Sequence, residues 1–211
     1  MATSPVVLTV PEIRDYDRIN AEVFQLLGEG VTHIVLAGVD HQRLLCLRLT
    51  GAWNALIEIQ GNAGPELAAE MDAPGVTVVC RGSADDGAGR SLKAGRLIVE
   101  GSVSDCVGYS QNGGTIVVWG SAAHRAGLMQ FGGQLIVLGE VGRLAGERQS
   151  GGLFVYSGGR IGPGVGRGHR GGRLLSLLSV TTDLSGDDEA VLRELAVAAG
   201  EYLPANVLPQ V

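Results

Sequence analysis

Residues 82–100, GSADDGAGRSLKAGRLIVE, open a run of four 19-residue units that decides the fold. The units that follow read GSVSDCVGYSQNGGTIVVW from residue 101, GSAAHRAGLMQFGGQLIVL from 120 and GEVGRLAGERQSGGLFVYS from 139. Each unit has a Gly-Gly or Ala-Gly pair, then three or four aliphatic residues, and the next unit begins with another glycine. Units of constant length indicate a solenoid in which each unit forms one coil.

Glycine marks the corners of these units. It makes up 34 of 211 residues, about twice its usual share of roughly 7%. The runs of Val, Ile and Leu between corners are too short for helices and are typical of strands, and glycine accepts the positive φ that tight corners require. We predict a mainly β fold, a right-handed parallel β-helix with 19-residue coils. The corner glycines are Gly82, Gly101, Gly120, Gly139 and Gly158.

Stacked coils lie about 4.8 Å apart, so residues at the same repeat position form columns along the axis. Alternation along each strand places one aliphatic column outside, between two columns that face the lumen. An exposed apolar column is typical of an interface, so we expect a terminal helix of this chain or a partner subunit to cover it. The lumen columns are Val78, Leu97, Ile116, Leu135, Phe154 and Leu174, and Cys80, Val99, Val118, Val137 and Tyr156. The candidate interface is the outward column, Val79, Ile98, Val117, Ile136, Val155 and Leu175, with Trp119 beside it.

The segment before the repeat is predicted to contain a helix and two strands, and the segment after it a helix. Apolar residues at helical spacing between Pro11 and Gly28 predict an amphipathic helix. Two strands over residues 32–36 and 44–49 are expected to form a hairpin that, with this helix, caps the first coil. Ser185 and the acidic residues after it predict the start of a C-terminal helix. The predicted regions are a cap over 1–50, the β-helix over 51–180, and a helix with a tail over 181–211.

The bulk composition limits the classes of partner. A formal charge of −6 argues against nucleic acid or an anionic membrane, because both need a basic surface. The charge balance reverses between residues 143 and 173, which leaves open a solvated edge or a site for an acidic partner. In this stretch Arg167 and Arg170 are candidate interface residues. The N-terminus has no signal-peptide pattern, and no segment is long and apolar enough for a membrane span. We therefore expect a cytoplasmic protein.

No catalytic, cofactor-binding or metal-binding residue is predicted in this chain. The stretch GRGHRG, residues 166–171, matches the G-x-G-x-x-G pattern of dinucleotide-binding sites. That pattern indicates such a site only where a helix follows it, and here a short strand is predicted to follow. Asp86, Asp105 and His124 share one repeat position and should stack. This leaves open a polar ladder at a solvated edge or a carboxylate pair that shares a proton. Small buried side chains, without disulfides or metal ligation, are predicted for Cys46, Cys80 and Cys106.

The repeats, most clearly GSADDGAGRSLKAGRLIVEGSVSDCVGYSQNGG at residues 82–114, resemble the GXGXG domain that ends the large subunit of glutamate synthase. The resemblance spans about residues 32 to 178 and includes the lead-in GVTHIVLAGVDHQRLLCLRL. It implies a β-helix without catalytic residues that packs against catalytic modules. The family pattern commonly has a methionine before the double glycine. This chain departs from it there, with Leu92, Gln111, Gln130 and Gln149.

Stand-alone relatives of this domain accompany class II glutaminase subunits and flavin plus iron–sulfur subunits in glutamate-synthase-like and N-methylglutamate-synthase-like complexes. The resemblance therefore implies a non-catalytic structural subunit of such an amidotransferase and flavin oxidoreductase complex. FMN and an iron–sulfur cluster are expected in the partner subunits, with no cofactor in this chain. A related repeat in the scaffold subunits of formylmethanofuran dehydrogenase and of the formyltransferase/hydrolase complex gives an alternative. An independent enzyme that uses the Asp86 and Asp105 ladder, and a homo-oligomer formed through the outward column, also stay open.

Overall fold

The computed structural model describes residues 4–13, 15–156 and 159–176 of the chain. In this part, nine strands pair in chain order, each parallel to its neighbours, and form one sheet. The sheet winds as a β-solenoid of about seven turns, so the predicted mainly β, parallel repeat fold is confirmed. The right-handed sense of the winding stays a prediction. The strands are β1 Val6–Thr9, β2 His33–Gln42, β3 Asn54–Ala63, β4 Asp72–Cys80, β5 Ala94–Val99, β6 Thr115–Val118, β7 Gln134–Val137, β8 Ser150–Tyr156 and β9 Gly171–Ser176.

The register between neighbouring strands follows the repeat. Leu97 pairs with Ile116, and Ile116 pairs with Leu135, so like residues lie one above the other. Both predicted lumen columns are buried in one continuous core, with Leu174 partly buried at the last strand. The predicted columns are therefore confirmed, and their apolar burial is the main stabilisation of the coil stack.

The rest of each coil is held by hydrogen bonds to the coils on both sides. Single β-bridges continue the parallel pairing on a second wall. On a third wall, residues with positive φ alternate with ordinary ones, as at Cys106 and Gly108. The Cys106 N–H donates to His124 O of the next coil at 2.8 Å, and the Gly108 N–H donates to Ala88 O of the preceding coil at 2.9 Å. These turns thus satisfy buried backbone groups in both directions along the axis.

Two glycine series in the repeat have different physical causes. Gly127 has a φ of +67°, a conformation that L side chains rarely adopt. Gly120, in the predicted corner series, has no positive φ. A Cβ at that position would lie 2.6 Å from the Gly101 carbonyl oxygen of the preceding coil. The prediction that positive φ requires glycine in this series is therefore wrong, because the close stacking of the coils requires it there. Gly158 of the same series lies outside the described residues.

The helix α2, Tyr16–Gly28, confirms the predicted amphipathic helix, and a short helix α1, Val10–Ile13, precedes it. The α2 residue Asn20 is buried and fastens the helix to the first coil. Its Nδ2 donates to Leu44 O at 2.8 Å, and its Oδ1 accepts the Cys46 N–H at 2.8 Å. A polar side chain on the helix thus fixes the turn against which the helix packs.

The predicted hairpin is wrong. The strand β2 is continuous and pairs in parallel with β1 and β3, and residues 45–48 form turns instead of a second strand. Leu44 and Cys46 have positive φ, like the third-wall turns of the later coils, so this segment bends into the first coil instead of forming a second strand. The sheet thus continues across the boundary predicted at residue 50. The predicted C-terminal helix lies outside the described residues.

Candidate functional site

The outer stripe, defined as Val79, Ile98, Val117, Ile136 and Val155, forms the predicted outward column on strands β4 to β8. These five side chains make a cluster separate from the interior core, and each is at most 3% exposed. Leu153, Leu175, Trp119 and Leu138 pack beside the stripe and are partly buried. The candidate interface residues are therefore together on one face, but that face is closed to solvent.

The outward column changes character towards the N-terminus. Glu58, which pairs with Val79 in the register, contacts His33 Nε2 at 2.7 Å and accepts a hydrogen bond from Arg81 Nη2 at 2.7 Å. Arg81 also forms an ion pair with Glu100. Burial opposes ionisation of Glu58, but the hydrogen bonds from Arg81 and His33 outweigh it and lower the pKa of the carboxyl group. This network ends the apolar stripe at the N-terminal side.

The stacked acidic positions form a ladder of side chain to backbone hydrogen bonds. Asp86 Oδ1 accepts the Asp105 N–H at 3.0 Å, and Asp105 Oδ1 accepts the His124 N–H at 2.8 Å. His124 Nδ1 accepts the Arg143 N–H at 3.1 Å. The predicted stacking is therefore confirmed. Each side chain supplies an acceptor to a backbone group of the next coil, which gives the column a structural role.

A second column works in the same way beside it. Ser102 Oγ accepts the Ser121 N–H at 3.1 Å, and Ser121 Oγ accepts the Glu140 N–H at 3.0 Å. An open groove runs along the two ladders, with His124 and Arg143 in its lining. The serine hydroxyls, like the side chains of the acidic column, thus accept hydrogen bonds from backbone N–H groups where a coil turns.

Three buried glutamines, Gln111, Gln130 and Gln149, occupy one position in successive coils. Gln130 Nε2 donates to Gln111 Oε1 at 3.1 Å, and Gln149 Nε2 donates to Gln130 Oε1 at 3.0 Å. Each amide also donates to backbone carbonyls, as Gln111 Nε2 does to Gln134 O at 3.0 Å. Gln149 Oε1 is buried and has no hydrogen-bond partner within the described ranges.

Sequence reasoning noted these glutamines only as a departure from a family pattern and missed the ladder. The signal was present, since an amide recurring at one position of a stacked repeat can donate to its neighbour along the axis. This amide ladder is the main polar feature of the interior, and it holds the C-terminal coils in register.

The last coils carry an exposed basic surface, the Arg-rich end. Glu147 pairs with Arg125 at 3.5 Å, and none of the exposed arginines of this surface takes part in an ion pair among the residues that the structure describes. The candidates Arg167 and Arg170 both belong to it, and both are exposed, unlike the side chains of the outer stripe. Its members are Arg143, Arg148, Arg160, Arg167 and Arg170.

The cysteines behave as packing residues. Cys46 and Cys80 are buried as predicted, whereas Cys106 is partly exposed. Burial raises the pKa of the Cys46 thiol to about 12 and also raises the pKa of Cys80 and of Cys106, which disfavours the reactive thiolate. Within the described ranges, no group of three His, Cys, Asp or Glu side chains could hold a metal ion, and no helix has the length and apolar character to cross a membrane.

The chain was also compared with known proteins. No family model matches it. No curated protein matches it either.

Proposed function

We propose that this chain is a non-catalytic structural subunit of a glutamate-synthase-like amidotransferase and flavin oxidoreductase complex. The resemblance of its repeats to the GXGXG domain motivates the proposal, and the β-solenoid of stacked repeats is the kind of fold that the resemblance implies. In such a complex the partner subunits would be a glutaminase and a flavin and iron–sulfur protein. FMN and the cluster would be held by those partners.

One observation carries the non-catalytic part of the proposal. The residues best suited to acid–base catalysis in the sequence each accept a backbone N–H from the following coil. They are Asp86, Asp105 and His124. A carboxylate that pairs a backbone group at a turn has a structural reason to be present. These residues therefore support a scaffold without any need for acid–base chemistry.

The Arg-rich end is the favoured docking surface for a partner. The outer stripe is at most 3% exposed, so a partner could reach it only by displacing what lies there. Arg167 and Arg170 are exposed on the last coil, and guanidinium groups suit carboxylate-rich surfaces because they form two parallel hydrogen bonds. We therefore expect an acidic surface on the partner subunit.

Purification of the untagged protein from its native cells tests the proposal. The expected result is a complex that contains a glutaminase-type subunit and a flavin and iron–sulfur subunit, recognised by mass spectrometry and by flavin absorbance. A protein that elutes alone as a monomer at physiological salt would contradict the scaffold function.

A charge-reversal pair then tests the docking surface. Arg167→Glu with Arg170→Glu should release the partners, because both substitutions set like charges against an acidic surface. Arg18→Glu with Lys93→Glu is the matched control, since both positions are exposed and lie outside the Arg-rich end. Equal retention of partners by both variants would remove the Arg-rich end from the proposal.

The competing enzyme hypothesis makes a different prediction for the acidic ladder. If the stacked carboxylates of Asp86 and Asp105 were catalytic, Asp86→Asn and Asp105→Asn would abolish activity of the purified complex. Under the scaffold proposal the amide oxygen still accepts the N–H of the next coil, so activity and folding should change little. Glutamine-dependent turnover of the complex, with circular dichroism as the folding control, separates the two.

A further inference from the structure

The burial of the outer stripe requires a cover. Its side chains project from the outer face of the sheet, because they alternate with the lumen columns along each strand. Side chains on an open sheet face are partly exposed, as Trp119 and Leu138 are beside the stripe. Ile136, the most accessible of the five, is only 3% exposed. This low exposure is that of a covered sheet face.

The described elements do not supply that cover. Helix α2 buries Ile19, Val23 and Leu27 in the interior core, which is a cluster separate from the outer stripe. The described chain ends at Ser176, directly after Leu175, which packs against the stripe. The segment that follows residue 176 therefore begins beside the stripe.

We propose that the amphipathic segment 185–202 lies across the outer stripe, with its apolar face on the sheet. The stripe and Leu175 span strands β4 to β9, a distance of about 24 Å at the usual strand spacing. A helix over residues 185–202 would be about 27 Å long, so the segment matches the stripe in length. Its predicted apolar face consists of Val191, Leu192, Leu195 and Ala199.

Charge favours the same placement. Six acidic residues and one arginine follow Ser176. On the outer face, Arg96 of β5 and Arg173 of β9 belong to one column, which runs along one side of the stripe. An acidic helix on the stripe would place its apolar side chains on the sheet and its carboxylates near this column, where opposite charges are complementary. The stripe is then internal packing of this chain, which leaves the Arg-rich end open for partners whether or not the glutamate-synthase proposal holds.

Disulfide trapping in the full-length chain tests the placement. Val117→Cys, Ile136→Cys or Val155→Cys is combined in turn with Leu192→Cys, Leu195→Cys or Ala199→Cys, in a Cys106→Ser background. Arg193→Cys, on the opposite side of the predicted helix, replaces the segment cysteine in the matched control. A disulfide forms only where two Cβ atoms come within about 4.5 Å, so the yield reports which positions approach one another.

The expected result is a disulfide within one chain for at least one apolar-face pair, in several-fold higher yield than with Arg193→Cys. Non-reducing electrophoresis and mass spectrometry of linked peptides distinguish bonds within a chain from bonds between chains. Links found only between chains would overturn the proposal in favour of a second copy. Yields no higher than the control for every pair would overturn it as well.

Discussion

The N-terminal and C-terminal coils have the same type of solenoid backbone but differ in where their polar side chains lie. In the N-terminal coils, Met71 and Leu92 fill one lumen position, and Glu58 with its ion-pair partners occupies the outer face. In the C-terminal coils, glutamines such as Gln130 occupy that lumen position, and the outer face is apolar. The solenoid backbone therefore tolerates either arrangement, provided that each polar group finds a partner along the axis.

The contrast teaches that vertical neighbours, rather than burial alone, decide which residue suits a lumen position. A buried amide costs about 1–3 kcal/mol when it lacks partners. In the C-terminal coils the stacked amide below or above supplies one partner, and the backbone carbonyls of the following strands supply others. Substitutions that add or remove a member of the amide ladder should therefore have effects that depend on position.

The largest expected effect comes from placing an amide where no ladder exists. Leu97 is fully buried between aliphatic neighbours in its column. Leu97→Gln should lower the free energy of unfolding by about 4 kcal/mol, because it loses apolar packing and buries an unpaired amide. Leu92→Gln should lower it by only about 1 kcal/mol, since the new amide oxygen can accept a hydrogen bond from Gln111 Nε2.

Urea unfolding followed by circular dichroism measures both variants. They exchange the same residue types at two fully buried positions of the same coil, so each serves as the control for the other. Equal losses of stability would show that the amide ladder does not extend to position 92, and the argument from vertical neighbours would fail.

Interrupting the ladder should have the next largest effect. Gln130→Leu removes the donor to Gln111 Oε1 and the acceptor for Gln149 Nε2, so unfolding should become easier by about 2–3 kcal/mol. Leu92→Met is the matched control in the apolar part of the same column and should cost less than about 1.5 kcal/mol. Chemical denaturation of the two variants measures the difference, and a Gln130→Leu variant as stable as Leu92→Met would contradict the prediction.

The outer ion-pair network predicts a smaller, pH-dependent effect. The pKa of Glu58 is lowered in the folded state, so its contribution to stability is present above its unfolded pKa and is lost as pH falls through the folded pKa. Glu58→Gln should therefore lower the free energy of unfolding by about 1 kcal/mol at pH 7. Below the folded pKa the variant and the parent should be equally stable.

Urea titrations at several pH values from 7 downward check this dependence. Glu140→Gln is the control, because Glu140 is exposed and forms no ion pair among the described residues. A stability difference for Glu58→Gln that stayed constant with pH would mean that packing, rather than charge, explains its effect.

The sequence predicted the features that repeat and missed those that depend on individual contacts. The constant spacing of Leu97 and Ile116 placed the lumen columns correctly, because stacking at constant length leaves no other register. The hairpin over 32–49 was wrong, since alternating leucines look the same in a strand and in a turn with alternating φ. Asn20 was missed because its partners, Leu44 and Cys46, are remote in sequence.

The smallest expected effect tests whether the amide ladder can be lengthened at its open end. His169 occupies the next ladder position, because its N–H donates to Gly166 O as the Gln149 N–H donates to Gly146 O. Gln149 Oε1 lacks a partner within the described ranges, so His169→Gln should supply an amide donor and raise the free energy of unfolding by about 0.5 kcal/mol. His169→Leu, similar in size but without a donor, should give no such gain. If both variants gained stability equally in urea unfolding, apolar packing rather than the new hydrogen bond would be the cause, and the ladder would end at Gln149.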